Sequence, residues 1–465
     1  VPSCRLPPQG PADPAGALHD NCSSQSDRRS SRIDCRDRMR VASDPRTTWS
    51  VVPLARRTCL ETEETPMTTP QPETGLGATR GAELARTALP LLAARLPDYL
   101  RDLTTLANLD SGTYDRAEVE RVGAWVRARC RQWGAQIEDH PGGAFADSFA
   151  ARLGGQGTRH VVLLAHLDTV FPAGTTAERP LRIEGERVLG PGTCDMKAGL
   201  LMGIYAVEAL AALGCGDFGE VRLVCTTDEE VGAPSSRAFV ERMAEGAAAV
   251  LVLEAGRENG DIVGQRRGGG VYRLEVAGGS AHAGVEPQKG RSAALSLARQ
   301  VVALHGLTDL EAGRTVNVGI IHAGTRANVV PDHAEAEVDL RFNTAADMER
   351  LLCDSEAALA SAALDGTTYT WTPLHMRPPW ERNDHTDRLA AQANLIAQAL
   401  GFSVRAAATG GTSDGNFTAA RGVPTLDGLG PIGGLDHSPR EYVEIPSVAP
   451  RTALLAGLIA AVTSG

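Results

Sequence analysis

From about residue 80 onward, segments with helical spacing of apolar residues alternate with short runs rich in β-branched residues. Apolar side chains recur at helical intervals in residues 81–104, 116–133 and 198–213, which predicts three helices. Buried strands are predicted at 160–165, 221–226 and 250–253. Strands that alternate with helices predict an α/β fold in which helices flank a mostly parallel sheet.

The middle of the chain has a different order of elements. Strands are predicted at 271–277, 315–322, 334–342 and 369–374, and helices at 292–304 and 348–364. The order βαββαβ is typical of a ferredoxin-like split sandwich. Helical spacing resumes in residues 386–400 and 446–462, so the segment 267–375 is predicted to be an insertion in the α/β fold.

The first 66 residues have no sustained apolar period, and they contain four of the nine cysteines. They lack the roughly 7–15-residue apolar stretch of a secretory signal. Three interpretations remain open for them: a disulfide-bearing secreted module, a basic disordered tail, or sequence upstream of a natural start at Met67. We expect a mis-annotated or disordered N-terminal extension over 1–66, followed by three units at 67–266, 267–375 and 376–465.

The composition excludes several classes of protein. A chain of 465 residues predicts two or three domains at roughly 100–200 residues each. Apolar residues at 42% and charged residues at 22% exclude wholesale disorder. A net charge of −11 argues against nucleic acid or an anionic membrane as a partner, and no uncharged apolar run reaches the ~18 residues of a membrane span. The five cysteines after residue 66 lack CxxC spacing, which favours reduced thiols in a cytoplasmic protein.

Histidine and acidic residues follow the ends of the predicted strands. The first strand is followed by His166 and Asp168, and the second by Glu229 and Glu230. The third strand ends in Glu254. Ligands of open α/β sheets bind beyond the carboxyl ends of the strands, so these side chains are predicted to share one crevice. Crowded carboxylates repel one another unless cations neutralise them, and nitrogen and oxygen ligands suit Zn²⁺, with Mn²⁺ or Co²⁺ as alternatives.

Spacing indicates different roles for neighbouring residues of this group. His166 and Asp168 are two residues apart, so their side chains point to the same side of an extended segment. Asp168 is therefore placed to orient a metal-binding imidazole. Glu229 and Glu230 are adjacent and their side chains diverge, so one can bind metal while the other faces the attacking water as general base.

A glycine-rich turn, residues 190–197, leads into the third predicted helix. It lacks the third glycine of a dinucleotide-binding loop, and Asp195 would repel a pyrophosphate. The turn therefore argues against a dinucleotide-dependent oxidoreductase and adds a carboxylate to the predicted crevice.

These residues occur in motifs that resemble a family of zinc-dependent metallopeptidases. The family includes glutamate carboxypeptidase, aminoacylase, acetylornithine deacetylase and succinyl-diaminopimelate desuccinylase, and the pattern is most similar to the glutamate carboxypeptidase branch. The resemblance covers about residues 90–465. The motifs are AHLDTVFP (165–172), GPGTCDMKAG (190–199), TTDEEVGAPSSR (226–237), LEAG (253–256), GSAHAG (279–284), NVVP (328–331), DLR (339–341), GGTSD (410–414) and HSPREYV (437–443).

The resemblance implies a site with two Zn²⁺ ions bridged by Asp195. His166 and Glu254 would complete the ligands of one ion. Glu230 and His437 would complete the ligands of the other. The family also often has a cis peptide bond after the bridging aspartate.

The resemblance also implies roles for residues that do not bind metal. Glu229 would be the general base, and Asp168 would orient His166. His282 would reach the site of a neighbouring subunit and stabilise the oxyanion. The residues implied to bind the substrate carboxylate or to line its pocket are Asn328, Arg341, Arg377, Gly410, Gly411 and Thr412.

The implied protein is a homodimeric enzyme. Residues 67–266 and 376–465 would form the catalytic domain, and 267–375 would form a lid and dimerisation domain. The reaction would be hydrolysis of an amide bond next to a free carboxylate, releasing a glutamate-like amino acid from an N-acyl or peptide substrate. The alternatives are an N-acyl-amino-acid deacylase or dipeptidase of the same family and a non-catalytic metal-binding protein.

Overall fold

The computed structural model describes residues 73–464, with side chains from residue 76. The predictions for residues 1–66 and for Met67 lie outside these residues. The helices are α1 (Glu73–Ala94), α2 (Leu96–Ala107), α3 (Arg116–Arg131), α4 (Thr175–Glu178), α5 (Ala198–Ala212), α6 (Arg237–Ala244), α7 (Ala293–His305), α8 (Ala345–Ala362), α9 (Asp384–Ala399), α10 (Gly415–Ala420) and α11 (Ile445–Thr463).

The strands lie between and after these helices. They are β1 (Gln136–His140), β2 (Ser148–Gly154), β3 (His160–His166), β4 (Arg182–Glu184), β5 (Arg187–Leu189), β6 (Glu220–Thr226), β7 (Ala249–Val252), β8 (Ile262–Arg266), β9 (Gly268–Ala277), β10 (Ala281–His282), β11 (Thr315–Ala323), β12 (Val329–Val330), β13 (His333–Phe342), β14 (Thr368–Arg377), β15 (Ala406–Thr409), β16 (Thr425–Leu426), β17 (Gly433–Gly434) and β18 (Tyr442–Glu444).

The central sheet has the strand order β1-β2-β6-β3-β7-β16. β3 pairs in parallel with β6 and β7, and β7 pairs in parallel with β16. β2 pairs antiparallel with β6, and β1 pairs antiparallel with β2. The predicted α/β fold is confirmed, and the sheet is mixed because these two antiparallel strands extend one edge. Neither strand was predicted; β1 has the polar sequence QIEDH, which lacks the apolar run of a buried strand.

Alternate side chains of β3 enter two separate cores. Leu163 belongs to the main core, which contains residues of α5 and α11. Leu164 belongs to a smaller core on the other face of the sheet, against Phe239 and Met243 of α6. Because both faces of β3 are buried, the strand is a continuous apolar run that ends at the crevice with His166.

The first predicted helix is interrupted. One helix over 81–104 was expected, but α1 ends at Ala94 and α2 begins at Leu96. Pro97, the second residue of α2, has no N–H to donate to the preceding turn, and its ring clashes with the carbonyl four residues earlier. The prediction of one continuous helix is therefore wrong.

A second, antiparallel sheet has the order β11-β13-β9-β14. The helices α7 and α8 pack on each other and on this sheet. The sequential order β9-α7-β11-β13-α8-β14 is the predicted βαββαβ arrangement, so the ferredoxin-like insertion is confirmed. β14 ends at Arg377, which brings the end of this sheet to the crevice of the central sheet.

Among the described helices, α11 is long and apolar enough to cross a membrane by length and composition. Within the protein, 78% of its apolar window is buried, and it packs against α1 and α5. Such burial is typical of a core helix.

Arg451 is a buried cation on α11 with 2% of its surface exposed. Its guanidinium donates to the carbonyl oxygens of Gly430 (2.5 Å), Gly428 (2.6 Å) and Gly260 (2.7 Å). Gly430 in turn donates its N–H to the carbonyl of Glu254 at 2.8 Å. Burial lowers the pKa of Arg451 to about 10. The arginine therefore supports the loop behind a predicted metal ligand.

Replacing Arg451 with Met should lower the free energy of unfolding by about 2–4 kcal/mol, because three buried carbonyls lose their donor. Chemical denaturation of the two proteins measures the change. Arg299→Met, on the exposed face of α7, is the matched control and should change it by less than about 0.5 kcal/mol. Equal stability of the Arg451→Met and Arg299→Met proteins would contradict this support role.

Candidate active site and metal centre

The carboxyl ends of three parallel strands converge on one crevice. His166 is the last residue of β3, and Glu254 lies just after β7. Glu229 and Glu230 lie in the turn after β6. Burial of β3, β6 and β7 in the sheet fixes the strand ends, so these four side chains meet where the sequence predicted.

Asp195 lies at the centre of the site, between two histidines. Its Oδ1 is 2.9 Å from Nε2 of His166, and its Oδ2 is 3.0 Å from Nε2 of His437. Asp195 belongs to the turn before α5, and its peptide bond to Met196 is cis, as the resemblance implied. The two oxygens of one carboxylate thus face two imidazoles.

Each histidine also faces a second carboxylate. Nε2 of His166 is 3.6 Å from Oε1 of Glu254. Nε2 of His437 is 3.3 Å from Oε2 of Glu230. The result is two groups, each of one imidazole and one glutamate, that share Asp195. This is the pairing that the resemblance implied.

Asp168 is buried behind His166. Nδ1 of His166 is 3.0 Å from the carbonyl oxygen of Asp168 and 3.5 Å from its Oδ1. The Asp168 carboxylate accepts hydrogen bonds from the Thr113 hydroxyl (2.8 Å) and from the N–H groups of Glu229 (3.3 Å) and Glu230 (3.2 Å). Asp168 therefore fixes the imidazole and the turn after β6 at the same time.

Glu441 has a role that the sequence analysis did not predict. Its buried carboxylate accepts the N–H groups of Gly192 (3.0 Å), Cys194 (2.7 Å) and Asp195 (3.0 Å). These bonds hold the turn that carries Asp195. Glu441 lies in the motif HSPREYV, so the motif contained the signal, but its contact with a turn about 250 residues away needed the tertiary structure.

Burial and mutual repulsion shift the pKa values of these acids. Burial raises the pKa of Glu254 and of Glu230, and the charge of Asp195 raises both further. Burial would also raise the pKa of Asp195, but hydrogen bonds with His166 and His437 lower it. Hydrogen bonds to Asp195 and Glu230 raise the pKa of His437 to about 11. The carboxylates of the cluster are thus stabilised by the imidazoles of His166 and His437, which favour a cationic form beside them.

The donor set fits a metal ion. The ligand atoms of His166, Asp195 and Glu230 all lie within 4.8 Å of one another. Oε1 of Glu230 is buried and has no hydrogen-bond partner. Imidazole nitrogen and carboxylate oxygen are donors that Zn²⁺, Mn²⁺ and Co²⁺ accept. A cation between these groups would also relieve the repulsion that raises the pKa values of the glutamates.

Glu229 lines the same crevice as these residues and contacts Arg377. Its Oε1 is 3.0 Å from Nη2 of Arg377, which also donates to the Glu229 carbonyl at 2.7 Å. The same nitrogen donates to Oδ1 of Asp414 at 2.9 Å, and Nη1 donates to the Thr412 hydroxyl at 3.2 Å. Arg377 is 6% exposed. Arg377, which was predicted to bind the substrate carboxylate, is therefore paired with Glu229, the predicted general base. Its other acidic partner, Asp414, was not predicted from the sequence.

The remaining predicted residues lie around the crevice or in the insertion. His282 and Asn328 come together where β10 pairs antiparallel with β12, and the carbonyl oxygen of Asn328 accepts the N–H of Ala283 at 2.9 Å. Arg341 pairs with Asp339 at 2.8 Å on the second sheet. Among the described residues, no hydrogen bond or ion pair joins these three to the metal-binding cluster. Gly410, Gly411 and Thr412 form a loop beside it.

A cavity of about 450 Å³ opens from the cluster, and we call it the polar cavity. Beyond the cluster, its lining includes Arg257, Arg266, Gly411 and Thr412. Arg266 is paired with the buried Asp427 at 2.7 Å and donates to the Gly411 carbonyl at 3.2 Å. The lining also includes Glu258 and Asp436, so a polar small molecule next to the cluster would meet both arginines and carboxylates.

The sequence profile of Peptidase family M20/M25/M40 matches residues 162–461. Carboxypeptidase G2 of a Pseudomonas species is 26% identical over 371 residues, which cover 78% of this chain and 89% of the relative. Succinyl-diaminopimelate desuccinylase of Burkholderia ambifaria is 31% identical over 278 residues, covering 57% of this chain and 72% of the relative.

Solved structures share the fold. Aminopeptidase PepT of Bacillus cereus superposes with a TM-score of 0.65 at 22% identity, covering 79% of this chain and 99% of that one. The M20 family metallo-carboxypeptidase Sso-CP2 of Sulfolobus solfataricus superposes with a TM-score of 0.64 at 16% identity, and the match covers 78% of this chain and 99% of that one. With the matched profile spanning more than half of the sequence, this chain belongs to peptidase family M20/M25/M40 and is a hydrolase.

Proposed function

We propose that this protein is a two-zinc amidohydrolase that cleaves an amide bond next to a free carboxylate and releases a C-terminal, glutamate-like amino acid. The observation that carries this proposal is the position of Asp195 between His166 and His437, with a glutamate beside each imidazole. Three acids and two imidazoles in this arrangement offer ligands for two ions that share one carboxylate.

In this proposal His166, Glu254 and Asp195 hold one ion, and Glu230, His437 and Asp195 hold the other. A zinc pair, when bound, supplies Lewis acidity and lowers the pKa of a water molecule. Glu441 and Asp168 keep the ligands in place through their hydrogen bonds to the turns that carry Asp195 and Glu230.

Glu229 is the proposed general base. Burial raises the pKa of its carboxyl to about 8, against the charge of Arg377, which lowers it. Glu229 takes a proton from the attacking water and passes it to the leaving nitrogen. The water oxygen bonds to the carbonyl carbon as the C–N bond breaks, so the products are a carboxylic acid and an amine.

Cationic and neutral donors beside the cluster support recognition of a carboxylate. Arg377 contacts Glu229 and donates to the Thr412 hydroxyl, and Gly411 and Thr412 line the polar cavity, with Gly410 in the same loop. For Arg377 to bind a substrate carboxylate, that anion would replace Asp414 or Glu229 as its partner. Asn328 and Arg341 lie in the insertion, so their proposed contact with substrate requires the insertion to close or a second subunit to contribute.

A homodimer through residues 267–375 is part of the proposal. The outer face of α7 exposes Leu295 by 53% and Val302 by 73%, and the edge strand β11 exposes Ile320 by 46% and Ile321 by 51%. Exposed apolar side chains on one unit, beside an unpaired sheet edge, favour burial against a second copy. Contact through this unit would bring His282 of each copy toward the neighbouring crevice.

An N-acyl-amino-acid deacylase is the second candidate, and the relative named as a desuccinylase supports it. Both candidates share the metal ligands and the base and differ in the substrate. Among the described residues, Cys130, Cys194, Cys215 and Cys225 form no disulfide, which supports the proposed cytoplasmic location.

Hydrolysis of an N-acyl-glutamate, N-acyl-aspartate and dipeptide panel tests the function. After Zn²⁺ loading we expect release of glutamate, and a chelator should abolish it because the ligands lose their ion. Liquid chromatography of the released amino acids measures the activity with Zn²⁺ and its loss with the chelator. Activity confined to other acyl-amino acids would support the deacylase instead, and an inactive protein with bound zinc would contradict both candidates.

Glu229→Gln should lower kcat by about 10²–10⁴-fold, because the amide cannot accept the proton from water. The zinc content should stay the same, since the Glu229 carboxylate is paired with Arg377 and is not one of the five proposed ligands. Steady-state kinetics and metal analysis measure the two effects. Glu349→Gln, on the exposed face of α8, is the matched control and should leave both unchanged. Loss of zinc from Glu229→Gln would instead make Glu229 a ligand.

Mixing the inactive Glu229→Gln and His282→Ala proteins tests whether a site is shared between subunits. After subunit exchange, random pairing should restore about a quarter of the wild-type activity per site, because one site of each mixed dimer has both residues intact. Activity that stays at the level of the separate variants, in a mixture whose exchange is verified by tagged subunits, would contradict a contribution of His282 in trans.

A further inference from the structure

A cavity of about 450 Å³ lies at the edge of the central sheet where the parallel strands begin, and we call it the basal cavity. Its lining includes His160, the first residue of β3, Ala248, which directly precedes β7, and Pro424, which directly precedes β16. Side chains of α9 and α11 complete the lining. The metal-binding cluster, in contrast, lies where β3 and β7 end.

The length of β3 separates the basal cavity from the metal-binding cluster. The strand runs from His160 to His166, and at about 3.3 Å per residue it spans about 20 Å. Among the described residues, none lines both the basal cavity and the polar cavity. A molecule bound in the basal cavity therefore does not contact the metal ligands, and this cavity is a separate site.

Basic side chains surround the basal cavity. Arg159, His160, His385 and Arg388 line it, whereas no aspartate or glutamate of the described residues does so. The chain as a whole has 57 acidic residues against 46 lysines and arginines, so this lining is opposite to the average charge. Arginine stays charged at any physiological pH, so Arg159 and Arg388 give the cavity a permanent positive charge.

No carboxylate of the described residues pairs with either of these arginines. Nη1 of Arg159 donates to a backbone carbonyl at 3.5 Å, and Nη2 of Arg388 is 2.9 Å from Nδ1 of His385. Asp387, on the same helix as Arg388, pairs with Arg382 at 2.7 Å instead. Each guanidinium has five N–H donors, so both retain donors for an anion in the cavity.

One wall of the basal cavity is apolar. Leu389 of α9 is 4% exposed, and Ala461 and Val462 of α11 are 3% and 7% exposed. These side chains belong to the main core, so the packing of the catalytic unit fixes the wall. The volume of about 450 Å³ is in the range of pockets for organic molecules, roughly 300–1,000 Å³. The cavity therefore suits a ligand with an anionic group and an apolar part.

We propose that the basal cavity binds an organic phosphate monoester. Its phosphate pairs with Arg159 and Arg388, and its apolar part contacts Leu389 and Val462. A phosphate monoester carries a charge of about −1.5 to −2 at pH 7, which two guanidinium groups balance, and its oxygens accept the forked donors of arginine. This inference is independent of the proposed amidohydrolase function, because it concerns a cavity that contains none of the proposed metal ligands.

Calorimetry of the zinc-loaded full chain with phenyl phosphate, at about 0.15 M salt, tests this site. Wild-type protein should bind the probe, and Arg159→Gln and Arg388→Gln should each weaken binding about tenfold, because one of two charged contacts is lost. Both side chains are exposed, so without the probe each variant should unfold at the wild-type temperature.

Arg299→Gln is the matched control, since it removes the same charge from the exposed face of α7 and lines neither cavity. It should bind phenyl phosphate as the wild type does. Absence of binding to the wild type, or equal affinity of the wild type, Arg159→Gln and Arg388→Gln, would overturn the inference.

Three further probes test the class of ligand. Phenol lacks the charge, inorganic phosphate lacks the apolar ring, and benzoate has a carboxylate in place of the phosphate. Each should bind at least about tenfold more weakly than phenyl phosphate. Inorganic phosphate that binds as tightly as phenyl phosphate would overturn the assignment of an organic ligand, and benzoate that binds more tightly would overturn the assignment of a phosphate.

A chelator distinguishes the basal cavity from the metal-binding cluster, where zinc ions would also attract a phosphate. Binding in the basal cavity should keep its affinity within about twofold after zinc is removed, because no proposed ligand lines this cavity. Binding that is lost together with zinc would overturn the inference. Arg388→Gln should also leave kcat/KM for N-acyl-glutamates unchanged, so the outcome for the amidohydrolase function does not decide the outcome for this site.

Discussion

Mutual repulsion among buried carboxylates is the constraint on which the rest of the site depends. Asp195, Glu230 and Glu254 meet in one crevice, where burial raises the pKa values of both glutamates and the charge of Asp195 raises them further. Such a cluster is stable only with cationic partners, which here are two imidazoles and, in the proposed enzyme, metal ions. The requirement explains why polar side chains are concentrated at the ends of strands whose remaining residues are almost entirely apolar.

Residues outside this cluster hold its members in place. Glu441 accepts three N–H groups of the turn that carries Asp195, and Asp168 accepts the N–H groups of the two glutamates after β6. Arg451 supports the loop behind Glu254 from within α11. The turn with Asp195, the turn with Glu230 and the loop behind Glu254 therefore each have a buried partner on another element, so the geometry of the site depends on the packing of the whole catalytic unit.

Arg377 joins the insertion to this site. It is the last residue of β14, and its guanidinium contacts Glu229, Asp414 and Thr412. A movement of the second sheet would therefore move a partner of the proposed base.

The sequence by itself determined the α/β class, the βαββαβ insertion and the grouping of His166, Glu229, Glu230 and Glu254. Apolar runs and helical spacing depend on local composition, and the ends of parallel strands must lie at one edge of a sheet. The glycine-rich turn added Asp195, and motif resemblance added His437 and the sharing of Asp195 between two ions. Only the tertiary structure decided the antiparallel edge strands, the pairing of Arg377 with Glu229, and the support from Glu441 and Arg451. These features depend on contacts between residues far apart in the chain, and local patterns of polarity carry no record of such contacts.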